Sequence, residues 1–290
     1  MNAAAPLTAF VLAGGGSLGA VEVGMLEALV EAGVRADLVV GSSAGALNGA
    51  FFAGQPDAAG VRALREIWLA IRARDVFPFS PLGGLLGALA LRDHMVDPGG
   101  LRRLLERHMR FARIEDAAVP LHVVATDLLD GRQVLLSSGP VVPALLASAA
   151  IPGVFPPVRI GGAHLVDGGI ASNTPVAAAV ELGAERLVVL PTGFSCEMKR
   201  PPPSALAMAL HGVNLIIARQ LVVDIERFAD RTQIRVVPPL CPLAVQPFDF
   251  SAAGELIARS ARSTRDWLRG GGLERGGVPH ELPAHAHEVI

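Results

Sequence analysis

Ala36-Asp37-Leu38-Val39-Val40-Gly41-Ser42-Ser43-Ala44-Gly45-Ala46-Leu47-Asn48-Gly49-Ala50-Phe51-Phe52 decides the fold. A short apolar run of strand length leads directly into the G-x-S-x-G turn Gly41 to Gly45, and apolar residues then continue at helical length to about Ala53. Such a strand-turn-helix junction holds a serine on a tight turn with its hydroxyl exposed. Gly41 and Gly45 suit it because side chains there would crowd the turn.

Upstream, Leu7 to Leu12 reads as a buried strand. A glycine turn follows, then Leu18 to Ala32 carries Val21, Met25, Leu26, Leu29 and Val30 at helical spacing and stops at Gly33. The opening is therefore β-α-β-α, with strands apolar on both faces, which predicts a parallel sheet covered by helices. Downstream strands are expected at Leu121 to Ala125, Gln133 to Leu136, His164 to Val166, Arg186 to Pro191 and Gln233 to Val237. Long helices are expected at Ser204 to Asp230 and Ala252 to Arg269, the latter with Trp267 on its apolar side. The parallel α/β reading extends past residue 190. One domain over 1–269, with a helical part at 204–269, is followed by a flexible tail at 270–290.

Composition narrows the function. Of 290 residues 51% are hydrophobic and 18% charged, which suits a packed globular body. A net charge of -2 with no basic run speaks against a nucleic-acid partner. Two cysteines, Cys196 and Cys241, are too few for a disulfide scaffold or a cysteine zinc site and suit idle thiols in a reducing compartment. The start, Met1-Asn2-Ala3-Ala4-Ala5-Pro6, lacks the basic residues of a secretory signal, so a cytoplasmic location is expected. No apolar stretch reaches the about 20 residues of a membrane span. His280, His285 and His287 stand in the glycine-rich tail, and no metal or cofactor site is expected there or elsewhere. Val76 to Leu91, rich in leucine, phenylalanine, glycine and proline, reads either as a lid or interfacial segment, compatible with peripheral membrane contact, or as a buried connector. Oligomeric state is left open.

Gly14-Gly15-Gly16-Ser17-Leu18-Gly19 opens the first helix, where unpaired backbone amides favour negative charge. A P-loop is excluded because no Gly-Lys-Ser/Thr follows, and the acid of a dinucleotide fingerprint would fall on Asp37, before the second strand instead of at its end. In a parallel sheet the C-termini of both strands lie on one edge, so this glycine run and Ser43 emerge side by side, as an oxyanion hole beside a nucleophile. Ser43 needs a base. The candidates are the eight histidines, among them His164, and the acids at strand ends, of which Asp167, followed by Gly168-Gly169, is better placed.

Taken in order, Gly14-Gly15-Gly16-Ser17-Leu18-Gly19, Gly41-Ser42-Ser43-Ala44-Gly45 and Asp167-Gly168-Gly169 resemble the patatin-like phospholipase family. Ala147 to Pro157 and the surroundings of Asn173-Thr174-Pro175 extend the resemblance, which covers about residues 7 to 192. It implies a three-layer αβα sandwich with a mainly parallel sheet. It also implies a serine-aspartate dyad in which Ser43 attacks an ester carbonyl and Asp167 is the base, with Gly14, Gly15 and Gly16 as the oxyanion hole. Gly19, Gly41, Gly45, Gly168 and Gly169 would support the motifs, and lipids or other esters would be the substrates. Where the family usually has arginine or lysine one residue after the glycine run, this chain has Leu18. A lipid acyl hydrolase of phospholipase A or lysophospholipase type is expected first, an acyltransferase using the same acyl-enzyme second, and a catalytically silent lipid-binding module third.

Overall fold

The computed structural model describes residues 6–78, 94–193 and 205–282. From residue 79 onward the expected lid or interfacial segment lies outside the described residues, as do Cys196, His285 and His287.

The chain opens as β1 (Thr8–Leu12), a 3-10 turn at Gly16–Gly19, α1 (Ala20–Glu31), β2 (Leu38–Ser42) and α2 (Ala44–Gly54). After α3 (Ala58–Ala70), α4 (Ala73–Val76) and α5 (Gly99–His108) come β3 (Leu121–Asp127), β4 (Gln133–Leu136), α6 (Val141–Ser148), β5 (Val158–Ile160) and β6 (Ala163–Asp167). The chain then runs through α7 (Gly169–Ser172), α8 (Val176–Glu181), β7 (Arg186–Leu190), α9 (Ala205–Phe228), β8 (Gln233–Val236) and α10 (Ala253–Arg269).

Strand side chains alternate between faces, and both faces here are apolar. Phe10, Leu12, Val39, Val188 and Leu190 pack into one cluster with α1, α2, α3 and α10. Ala9, Val11, Leu38, Val40, Leu187 and Val189 pack into another with α8 and α9. The result is a three-layer αβα sandwich, held by burial on both sides of the sheet. Within it β3, β2, β1, β7 and β8 are neighbours in that order and parallel.

The strands β4, β5 and β6 depart from the parallel reading: each pairs antiparallel, and β5 was not expected at all. The register along β3 explains how the site forms. Val124 pairs with Leu135 of β4 and with Ser42 of β2, and Ala125 pairs with Val134 of β4 and with Asp167 of β6. Because β4 occupies one edge of β3 continuously, β2 and β6 must share the other. They run towards each other along that edge and stop one residue apart in register, which sets Ser43 and Asp167 face to face.

The tail differs from expectation as far as it is described. Leu282 is buried in the second cluster, Leu273 packs on the first, and the Leu273 carbonyl accepts from Arg235 Nε at 2.5 Å. Residues 270–282 are thus laid against the body. Among the described residues no helix is long and apolar enough to cross a membrane.

Candidate active site

Ser43 sits between β2 and α2 with φ 50° and ψ -123°, the only described non-glycine residue with positive φ. A backbone held there stores about 1–3 kcal/mol and persists only where its surroundings enforce it. The enforcement is visible. A Cβ on Gly45 would stand 2.5 Å from the Leu12 carbonyl, and one on Gly41 would stand 2.5 Å from the Gly45 oxygen. The Ser43 amide donates to Ser148 Oγ (2.9 Å), and that hydroxyl donates to the Val124 carbonyl (2.5 Å), pinning the elbow to β3.

Ser43 Oγ donates to Asp167 Oδ2 at 2.7 Å. The other carboxylate oxygen accepts from the Gly169 amide at 2.8 Å, and the Asp167 carbonyl accepts from Thr126 Oγ1 at 2.8 Å. Gly168 lies against the Val124 carbonyl and Ser42 Oγ, so the Asp-Gly-Gly turn packs where β2 ends. Asp167 is buried, and burial raises its carboxyl from 3.8 to about 6 against the opposing hydrogen bonds from Ser43 and Gly169. Its basicity is thereby matched to taking a proton near neutrality, which an ordinary aspartate is not. His164 lies three residues earlier on the same strand, so its side chain takes the opposite face, and it bonds neither Ser43 nor Asp167 through its ring.

The glycine run requires one correction. The Gly14 amide, expected to face the oxyanion, donates to the Asn173 carbonyl at 3.0 Å and is not available. Its own carbonyl accepts from Thr192 Oγ1 (2.7 Å) and Asn173 Nδ2 (3.2 Å), so Gly14 anchors the loop. The amides of Gly15 and Gly16 have no acceptor among the described residues. Gly16 borders the same pocket as Ser43, at φ 58°, where a Cβ would lie 2.4 Å from the Pro247 carbonyl. Ala44, at the first position of α2, lines the pocket too, and its amide has no intrahelical acceptor. Gly19 closes the loop as the residue before α1, its carbonyl accepting from Asn48 Nδ2 at 2.9 Å. Leu18 is buried in the core instead of presenting a side chain to solvent.

Beyond Ser43 the pocket becomes an apolar slot walled by Leu47, Trp68, Phe77, Leu105, Phe155 and Phe250. The space left open is about 60 Å³, so an alkyl chain enters only by parting the walls. Trp68 is fixed by Nε1 donating to Asn48 Oδ1 (2.8 Å), and Asn48 Nδ2 donates to Glu22 Oε2 (2.7 Å). Glu22 is fully buried, which raises its carboxyl well above the ordinary range and favours the neutral acid. This network ties α1, α2 and α3 together behind the slot. Ser148, Asn173, Thr192 and Ala44 were not singled out from the sequence for these roles; only the segment names around Ala147 and Asn173 pointed at the first two. No group of metal-ligating side chains occurs among the described residues.

A family model described as patatin-like phospholipase matches residues 10–180. An uncharacterized NTE family protein of Mycobacterium tuberculosis is 32% identical over 192 residues, covering 65% of this chain and 50% of that protein. The patatin-like phospholipase domain-containing protein 7 of Rattus norvegicus is 29% identical over 187 residues, covering 64% of this chain and 13% of that protein. The chain spans at most about half the length of these curated relatives. Among solved structures, VipD from Legionella pneumophila superposes with a TM-score of 0.51 at 15% identity, covering 93% of this chain and 67% of that one. Human GIVD cytosolic phospholipase A2, in complex with methyl gamma-linolenyl fluorophosphonate inhibitor and terbium chloride, also gives 0.51, at 13% identity over 93% of this chain and 59% of that one. These two structures share its fold.

Proposed function

This chain belongs to the patatin-like phospholipase family, and on that footing we propose that it is a serine acyl hydrolase of lipid esters, of phospholipase A or lysophospholipase type. The observation that carries the reading is the 2.7 Å hydrogen bond from Ser43 Oγ to a buried Asp167, at a strained elbow opening on an apolar slot. Asp167 takes the hydroxyl proton as Ser43 attacks the ester carbonyl. The oxyanion then faces the free amides of Gly16 and Ala44, with Gly15 beside them. Donors held in place in this way each contribute about 2.7–4 kcal/mol to the transition state. Protonated Asp167 returns the proton to the leaving alkoxide and the acyl-enzyme lays its chain along the slot; a water deprotonated by Asp167 then attacks the acyl carbonyl, and Asp167 gives that proton to the departing Ser43 Oγ as the acid is released. Leu18 brings no charge to the loop, so in this reading the oxyanion side is built from backbone amides.

The lipid surface would be met by the sheet edge that carries the site. Leu128 and Leu129 follow the C-terminal end of β3 at a hairpin tip, 47% and 81% exposed, and Ile170 in α7 is 51% exposed. Exposed apolar side chains around a lipid-cleaving site favour peripheral contact by burial in the interface.

A screen of ester classes and chain lengths, with Ser43→Ala as control, tests this reading. We expect turnover of long-chain lysophospholipid or phospholipid that Ser43→Ala lacks. Turnover retained in Ser43→Ala, or none of any carboxylic ester by the folded wild type, would contradict it.

A further inference from the structure

A much roomier hollow than the slot at Ser43 lies between α3 and α5, a groove of about 700 Å³. Four guanidinium groups border it: Arg74 from α4, Arg103 and Arg107 one turn apart on α5, and Arg110 just past the helix end. Among the described residues none of the four is in an ion pair. Two carboxylates, Glu66 and Asp75, stand in the same groove, and Asp75 is engaged by the Arg72 amide (2.8 Å) at the start of α4. Positive charge is therefore in excess, and His108 registers it: its imidazole is lowered by burial and further by the charge of Arg107.

The floor is of the opposite character. Phe51, Ile67 and Leu104, partly buried, line the groove and also wall the slot at Ser43. Unpaired guanidinium groups over a concave apolar floor focus their field and offer paired N–H donors shaped for carboxylate or phosphate. The floor rewards an alkyl chain in contact with it. Neither a bare anion nor a neutral lipid uses both features.

We propose that this groove binds a single-chain anionic amphiphile, its carboxylate or phosphate on Arg74, Arg103 and Arg107 and its chain on Phe51, Ile67 and Leu104, at a site separate from the slot at Ser43. Because the floor is also a wall of the slot, an occupant shifts side chains that close the slot; this consequence, unlike the binding itself, rests on the acyl hydrolase reading.

The test uses the full chain carrying Ser43→Ala, so that nothing is turned over, titrated calorimetrically at low salt with laurate, dodecyl phosphate, dodecanol and inorganic phosphate, each below its aggregation limit. We expect laurate and dodecyl phosphate to bind, and R103E/R107E to weaken both by about tenfold or more, as loss of charge-assisted contacts requires. R103Q/R107Q should weaken them less, dodecanol should be unaffected by either variant, and inorganic phosphate should bind at least about tenfold more weakly than dodecyl phosphate. Both arginines are exposed, and circular dichroism checks that the variants fold. Laurate affinity unchanged by R103E/R107E would place the chain in the slot and overturn the proposal. So would dodecanol binding as tightly as laurate, or phosphate as tightly as dodecyl phosphate. The relative response to carboxylate and phosphate heads tells which source of anion the site prefers. Failure of Ser43 to act as a nucleophile would leave all these affinities as they are, so the two readings fail separately.

Discussion

In the proposed reaction Asp167 is the base, and burial raises its carboxyl to about 6 while its two hydrogen bonds pull the other way. Only the ionised form accepts the Ser43 proton, so kcat/KM for a soluble ester should rise with pH along a single acid limb with its midpoint near 6. A pH profile that Asp167→Asn leaves in place would contradict this. The same shift has a stability consequence of definite sign. The native pKa is raised above the unfolded value, so stability is full below about 3.8 and is lost as pH climbs through about 6, to a ceiling of about 3 kcal/mol. Asn at 167 stays neutral, can still accept from Gly169, and can donate to Ser43. We therefore expect Asp167→Asn to lose at least about 10³-fold in turnover while melting higher than wild type at pH 8, with the gain shrinking towards pH 4. Equal melting shifts at both pH values would refute the ionised-carboxylate cost.

At the scale of elements, the elbow depends on β3 as well as on its own glycines. Ser148 at the end of α6 bridges the Ser43 amide to the Val124 carbonyl. Ser148→Ala leaves that buried amide unpaired, at about 1–3 kcal/mol, and calorimetry should show a melting point lower by several degrees, with turnover falling as well. An unchanged melting point would mean that the bridge is replaceable. Such dependence is hard to read in a sequence. The strands β1, β2, β3, β4, β6, β7 and β8 and the helices α1, α2, α9 and α10 are legible because apolar runs of strand length alternate with helical periodicity. The direction of β6 is not, since a strand's local sequence carries no sign for its pairing. Nor is β5, three partly exposed residues just after Pro156-Pro157. Ser43 and Asp167 were legible through their glycine turns. The diversion of the Gly14 amide to Asn173 was hidden because it depends on a contact 159 residues away.

For the molecule as a whole, the sheet edge that carries the candidate site also exposes the apolar side chains of Leu128, Leu129 and Ile170. Leu128→Asp combined with Leu129→Asp should reduce binding to phospholipid vesicles by several-fold, as buried apolar area is lost, and slow hydrolysis of vesicle lipid while leaving a monomeric short-chain ester unaffected. Equal losses on both substrates would point instead to damage at the site. The packed segment 270–282, held through Arg235 and Leu282, belongs to this body, so truncation after Gly270 should lower the melting point. All of this presupposes that Ser43 is the nucleophile. The direct measurement is intact-mass and peptide-level detection of a fluorophosphonate adduct: we expect one adduct, on Ser43, in the wild type, none in Ser43→Ala, and strongly slowed labelling in Asp167→Asn. An adduct on another residue, or labelling that persists in Ser43→Ala, would contradict it.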